Sequence, residues 1–282
     1  MSKIAVLTCS EINENTTVDD DLCWNILKKK NIDITEVIWD EEHDYSIYDL
    51  VLIRTTWDYQ YKKELFAKKI QEISTQARLV NPADVVLWNM NKKYLVEFQE
   101  KGLPVIPSIY RENINAQEIE KLLAQKEFQE GIIIKPCVGG SSFGIQLIKS
   151  LNDFEQVKEG QWLIQPYLPD ISSRGETSLI FFNGKFSHAI IKEPKAGEFR
   201  SQEEYGSKIY SVKPSEEQFK IANKVLDSLE NTLPYARVDL IPNKDSFMLV
   251  ELELIEPCLF LHYEPEIAPQ NMANTIIDLL NN

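Results

Sequence analysis

Two acids one residue apart, Glu251 and Glu253, interrupt an otherwise apolar run over residues 247–255, Phe-Met-Leu-Val-Glu-Leu-Glu-Leu-Ile. A second run, Ala-Arg-Val-Asp-Leu-Ile over 236–241, precedes it across a turn holding Pro242, Asn243, Lys244 and Asp245. Both read as strands, and alternate side chains of a strand share a face. Arg237 and Asp239 therefore share a face, and Glu251 and Glu253 are expected in line with Phe247, Leu249 and Ile255. Carboxylates set into an apolar face are costly unless they are neutralised or take up protons. A divalent cation neutralises them, and an all-oxygen donor set suits Mg2+ better than zinc. Asp239, Glu251 and Glu253 are the expected ligands, with Glu256 a weaker fourth. An edge strand whose charged face meets water is the competing reading.

A second constellation lies in residues 132–149. The apolar run Ile132 to Ile134 ends in Lys135, a loop with Gly139, Gly140, Ser141, Ser142 and Gly144 follows, and a second apolar run begins at Ile145. Both runs are β-branched and short, so strand, loop, strand is the expectation. Glycines let backbone N–H groups approach a ligand closely, and a lysine beside such a nest makes a phosphate clamp. A glycine-rich hairpin with a solvated lysine has the same pattern. Further on, Trp162 to Leu168 reads as a strand broken at Pro166, which leaves backbone groups around Gln165, Tyr167 and Leu168 able to read an adenine edge; an edge strand entering a loop is as simple.

The elements that position these groups follow from periodicity. Residues 3–8, 35–39 and 48–55 read as strands and 19–30 as a helix, which suggests a parallel α/β sheet. Ligands of such sheets bind beyond the strand carboxyl ends. There Arg54, Thr55, Thr56 and Trp57 could hold a small carboxylate-bearing substrate, or form a surface loop with an aromatic lid. Residues 81–90, opening on Asn81-Pro82, read as a connection and mark a lobe boundary. Asn91 is expected to cap a helix through Tyr94, Leu95 and Phe98, with Lys92 and Lys93 in its first turn, where a cation suits a nearby anion. Asn115 with Glu118, and Ser215 with Gln218, open two further helices. Asn183-Gly184 signals a type I′ turn between strands 176–182 and 185–192. Residues 195–208, carrying Arg200, read as a mobile loop.

A formal net charge of -14 argues against nucleic acid and anionic membranes as partners. Cys9, Cys23, Cys137 and Cys258 form no C-x-x-C pair and suit free thiols in a reducing cytoplasm. No run is long and apolar enough to cross a bilayer, and the apolar stretch after Met-Ser-Lys is too short for a signal peptide. No Gly-Lys-Ser/Thr follows the glycine loop and no G-x-G-x-x-G follows the first strand, which disfavours a P-loop NTPase and a dinucleotide enzyme.

Taken in order, Lys92, Lys135, the glycine-serine loop, Gln165 to Leu168, Glu176, Arg200, Arg237-Val-Asp239 and Glu251-x-Glu253 resemble the ATP-grasp superfamily, in particular the glutathione synthetase and RimK-like ligases. The segments RTTWDY, GETS, GEFRSQ, YARVDL and ELELIEP are similar to the D-cycloserine-forming cyclo-ligase branch. The resemblance implies an α/β ATP-grasp fold, α+β in its later lobes, with a parallel α/β pre-grasp domain at 1–88, a central subdomain at 89–165 and a metal-binding subdomain at 166–282. It implies that Lys92 (or Lys93) and Lys135 contact ATP phosphates under the Gly139, Gly140, Ser141 and Ser142 loop. Gln165, Tyr167 and Leu168 would meet adenine, and Glu176, with Asp170 as rival, the ribose. Arg200 and Arg237 would stabilise the transferring phosphoryl group, and Asp239, Glu251 and Glu253 would hold two Mg2+ ions. At the second metal position the usual pattern is Glu-x-Asn, whereas this chain has Glu251-x-Glu253. The implied activity is a cytoplasmic carboxylate–amine ligase, linear or cyclising, that works through an acyl phosphate on an amino-acid-like or peptide substrate and releases ADP and phosphate. A homodimer stays open. A small-molecule kinase on the same fold and a non-catalytic ATP-binding regulator are the alternatives.

Overall fold

The computed structural model describes residues 1–12, 18–140 and 142–282. Its first sheet is built from β1 (Lys3–Thr8), α1 (Asp21–Lys29), β2 (Asp33–Ile38), β3 (Leu50–Thr55), α2 (Lys63–Gln76) and β4 (Arg78–Val80). The strands run parallel in the order β2-β1-β3-β4. The unbroken apolar run of β3 has a simple cause, since both its faces are covered. Leu50 and Leu52 pack with Trp24 and Leu27 of α1, while Val51 and Ile53 pack with Phe66, Ile70 and Ile73 of α2.

The stretch expected to be a connection, 81–90, is instead mostly helix, α3 (Ala83–Asn89). Pro82 precedes it, where a missing N–H costs nothing. The Asn81 side chain is buried and donates to the Tyr235 and Leu254 carbonyls, both at 2.9 Å. The Asn-Pro pair thus anchors the first lobe to the last, and the turn signal is real but short.

α4 (Tyr94–Glu100), β5 (Ile109–Arg111), α5 (Ala116–Leu123), β6 (Ile132–Pro136), β7 (Gln146–Ile148) and β8 (Trp162–Pro166) follow. The second sheet is antiparallel, in the order β5-β8-β6-β7. Asn115 caps α5 by accepting from the Glu118 N–H at 2.9 Å.

The third sheet uses α6 (Ile171–Arg174), β9 (Glu176–Phe182), β10 (Lys185–Glu193), β11 (Lys208–Ser211), α7 (Glu216–Leu226), β12 (Tyr235–Asn243) and β13 (Ser246–Glu253), and α8 (Ala268–Asn281) ends the chain. Its order is β11-β10-β9-β12-β13, antiparallel throughout. Asn183 and Gly184 both take positive φ, 48° and 69°, as a type I′ turn requires. The segment 195–208 holds one short turn of helix, Glu203–Tyr205, before β11.

The three sheets fall within 1–88, 89–165 and 166–282, apart from the last residue of β8, but α3 straddles the first limit and two later helices pack across these limits. Tyr94, Leu95 and Phe98 of α4 share a core with Leu179, Val238 and Leu252 of the third sheet. Met272, Ala273 and Ile276 of α8 return to Trp24, Leu27 and Ile4 in the first lobe.

One expectation about the acids is corrected. Asp239 pairs with Glu251 and Leu240 with Leu249, so Val250 is an extra residue, a β-bulge. The bulge reverses the alternation. Leu249 turns into the core with Leu252 and Leu254, and Glu251 and Glu253 point the other way from Leu249, into a cleft.

Candidate active site

The cleft, of about 260 Å³, lies where the three sheets meet. Its floor is β12 and β13. Arg237 grips Asp239 through Nε and Nη2, the latter 2.9 Å from Oδ2. The same Nη2 donates to Glu253, and Nη1 donates to the Cys258 carbonyl at 3.0 Å. Ser178 of β9 donates to Asp239 Oδ1 at 2.6 Å. Glu251 pairs with Lys92 Nζ at 2.7 Å. Lys92 also donates to the Gly139 carbonyl and so ties the acid floor to the glycine loop. Lys93 turns away, its ammonium 4.9 Å from the Tyr110 ring centroid. Geometry therefore chooses Lys92 over Lys93 as the cleft residue.

Lys135, at the end of β6, is 4 % exposed. Its ammonium donates to the Val250 carbonyl at 3.4 Å and has no ion pair among the described residues. Sequence reading missed a third buried lysine, Lys192 at the end of β10. It pairs with Glu176 and lies 3.9 Å from Asp239. Glu176 accepts from Ser201 as well.

The rim is built from loops. The Gly140 N–H donates to Gln60 Oε1, Tyr61 meets Phe143 edge-on at 5.5 Å, and Ser142 donates to Gln202 Oε1 at 2.6 Å. The glycine loop is thus held from the first lobe on one side and the third on the other. Ser141 lies outside the described residues. Gln165, Tyr167 and Leu168 line the cleft. Gln165 Nε2 is committed to Ser108 Oγ at 2.7 Å, and the Tyr167 N–H to the Gly131 carbonyl at 2.9 Å. Arg200 lines it too, bonded to Glu198 at 2.6 and 3.0 Å, its guanidinium carbon 3.7 Å from the Tyr205 ring centroid.

Of the residues read as a substrate subsite, Trp57 alone lines the cleft, where its indole donates to the Glu256 carbonyl at 3.1 Å. Arg54 is buried beneath, its guanidinium held by Asp20 at 2.8 and 3.2 Å and by the Pro257 carbonyl at 2.8 Å. Thr55 bonds Thr8 at 2.7 Å, and Thr56 is fully buried. Arg54 thus ties the first lobe to the last through Pro257, while the Thr55–Thr8 bond stays within the first lobe. Asp170 also lies away from the cleft, accepting from the Lys244 N–H at 2.8 Å.

The charges do not balance evenly. Burial drives the Lys135 ammonium below the usual lysine range; Glu251 opposes this and Lys92 adds to it. Burial works against the charged form of Lys192 as well, but Asp239 and Glu176 outweigh it and hold the ammonium above its ordinary value. Burial likewise opposes ionisation of Asp239 and Glu251, yet Arg237 and Lys192 keep the first, and Lys92 and Lys135 the second, below the ordinary carboxylate range. Glu253 is pushed up to about 7 by burial, with Arg237 opposing and Asp239 and Glu251 adding. Glu256 is pushed up to about 8 by burial and by Glu253.

In the arrangement described, no three or more His, Cys, Asp or Glu side chains among the described residues are grouped closely enough to hold a metal ion. Asp239, Glu251 and Glu253 nonetheless line one cleft as hard oxygen donors, where burial first and the two neighbouring acids second raise the Glu253 carboxyl. That donor set fits Mg2+. No helix among the described residues is long and apolar enough to cross a membrane.

Comparison with known proteins gives the following. Residues 103–264 match the family model described as prokaryotic glutathione synthetase, ATP-grasp domain. Residues 4–81 match the model for the N-terminal domain of D-cycloserine synthetase DcsG. The cycloserine biosynthesis protein DcsG of Streptomyces lavendulae is 27% identical over 265 residues, covering 84% of this chain and 86% of the relative. The crystal structure of D-cycloserine synthetase DcsG superposes with a TM-score of 0.84 at 23% identity, over 99% of this chain and 100% of that one. D-alanine–D-alanine ligase from Bacillus anthracis superposes with a TM-score of 0.68 at 15% identity, over 100% and 98%. The two structural likenesses are likenesses of fold.

Proposed function

The chain belongs to the prokaryotic glutathione synthetase type of the ATP-grasp family and is an ATP-dependent ligase; from that premise we propose that its cleft passes the γ-phosphoryl group of ATP to a substrate carboxylate. An amine then displaces phosphate from the acyl phosphate. The observation that carries this reading is the convergence of Lys92, Lys135 and Lys192 with Arg237, Asp239, Glu251 and Glu253 on one cleft roofed by a glycine loop. Phosphoryl transfer asks for positioning and charge neutralisation more than for a general base.

Each residue has a task in this reading. Lys135 is a buried cation without an ion pair among the described residues, and a phosphate oxygen supplies one. Lys92 holds a second phosphate oxygen while its contact with Gly139 keeps the loop over the nucleotide. Adenine lies beside Tyr167 and is read by the Leu168 N–H, which has no hydrogen-bond partner among the described residues. Glu176 orders the site by fixing Lys192 and Ser201. Arg237 and Arg200 bear on the charge that develops on the transferring group. Asp239, Glu251 and Glu253 would hold Mg2+, two ions in the full site, and the metal would neutralise phosphate charge.

The substrate in this reading is small and amino-acid-like: the name of the D-alanine–D-alanine ligase gives it such a substrate, and that of the D-cycloserine synthetase a small product. The test is ADP and phosphate formation with MgATP over a panel of amino acids and amines. ADP and phosphate in equal amounts, dependent on added substrate, support the proposal. A stable phosphate ester without free phosphate contradicts it.

A further inference from the structure

Five acids line the cleft from the third sheet and the segment just after it: Glu176, Asp239, Glu251, Glu253 and Glu256. Four have cations of their own. Glu176 has Lys192, Asp239 and Glu253 share Arg237, and Glu251 has Lys92. The fifth does not. The Glu256 carboxylate makes no ion pair and no side-chain hydrogen bond with another described residue, although it is half-buried. The cations whose field reaches it, Lys92 and Arg54, are engaged by Glu251 and Asp20.

The surroundings of Glu256 are aromatic. The Trp57 indole is pinned to its carbonyl at 3.1 Å. Tyr59, also on the cleft wall, is stacked against Phe66 with centroids 4.6 Å apart, which fixes its ring. Carboxylate oxygens accept without donating, and an ammonium donates three times without accepting. Aromatic faces attract cations in addition. Without a partner such a half-buried group is better off protonated than charged, and an arriving ammonium lets it ionise.

We propose that Glu256 binds a primary ammonium of the substrate, with Trp57 and Tyr59 as the aromatic wall of that subsite. The proposal rests on the ligase reading and narrows it, since the substrate must then present a free amine while its carboxylate is activated. Glu256 is a substrate-binding group, distinct in role from the acids that face the lysines and Arg237.

The experiment compares D- and L-alanine, D- and L-serine, β-alanine and ethylenediamine with their N-acetyl counterparts. Binding is measured by calorimetry with a non-hydrolysable ATP analogue and Mg2+, and turnover as ADP release with MgATP. Free-amine compounds are expected to bind or turn over and the acetylated forms to fail. Glu256→Gln should raise the Kd or KM of the free-amine compounds roughly 10- to 100-fold. The same variant should bind the ATP analogue and Mg2+ as the parent does, which also shows that it is folded. Equal use of acetylated and free amines, or no binding by any free amine, overturns the proposal. A Glu256→Gln variant that loses Mg2+ while keeping amine affinity overturns it as well, by making Glu256 a metal ligand. Amine binding without any ADP leaves this subsite standing and sinks the ligase reading instead.

Discussion

Replacing Lys135 by methionine should move stability and function in opposite directions. Lys135 is 4 % exposed, and the one hydrogen bond of its ammonium among the described residues is to the Val250 carbonyl at 3.4 Å. Burial holds it below the usual lysine range, Glu251 notwithstanding. A lysine whose folded pKa is depressed opposes folding wherever both states are protonated. The opposition fades as pH rises from the folded pKa to the unfolded value near 10.5. Methionine keeps the stem and removes the buried charge. The expected gain is on the order of 1 kcal/mol at neutral pH. For a chain of this size that raises Tm by about 2–4 °C. The advantage should shrink in alkaline buffer. The same substitution removes a preorganised cation from the transferring phosphate, at a cost of roughly 100- to 1,000-fold in kcat/KM. Scanning calorimetry without nucleotide at neutral and alkaline pH, with titration of a non-hydrolysable ATP analogue, reads both effects. A variant that melts below the parent, or binds the analogue equally well, would refute the reasoning.

Lys192→Met should behave in the contrary way. It leaves Glu176 and Asp239 short of a buried cation, so stability should fall by roughly 3–5 kcal/mol along with activity; urea unfolding checks this, and an unchanged midpoint contradicts it. Arg54→Ala strands the buried Asp20 and frees the Pro257 carbonyl. A loss of about 3–5 kcal/mol is expected in the same assay, and normal stability with altered substrate KM would return Arg54 to the substrate subsite. Gln60→Ala removes the acceptor of the Gly140 N–H. The glycine loop should then be cut faster in limited proteolysis without nucleotide, and an unchanged cutting rate would mean that the contact does not hold the loop.

Much of this site is legible in sequence because buried charge is rare enough to stand out. Lys135 at the end of an isoleucine run, Arg237 two residues before Asp239, and Glu251-x-Glu253 are such places, and all converge on one cleft. What sequence hides is register. Counted straight from the Asn183-Gly184 turn, Lys192 falls opposite Gly175; an irregularity at Ser187 moves it onto Glu176. The bulge at Val250 likewise decides which face the two glutamates take, and nothing in Leu-Val-Glu announces it. Arg54, Thr55 and Thr56 follow a strand carboxyl end, where ligands often bind. Whether such an arginine meets a ligand or a neighbouring lobe depends on Asp20 and Pro257, which lie far from it in the chain. The helix α3 was masked by its own Asn-Pro start.

The central claim is that the cleft activates a carboxylate by phosphorylation. With a substrate found by ADP release, its carboxylate can be labelled with heavy oxygen and the released phosphate analysed by mass spectrometry. The account predicts that one labelled oxygen appears in phosphate for each turnover. Phosphate carrying no label, with the label kept in the product, would contradict it.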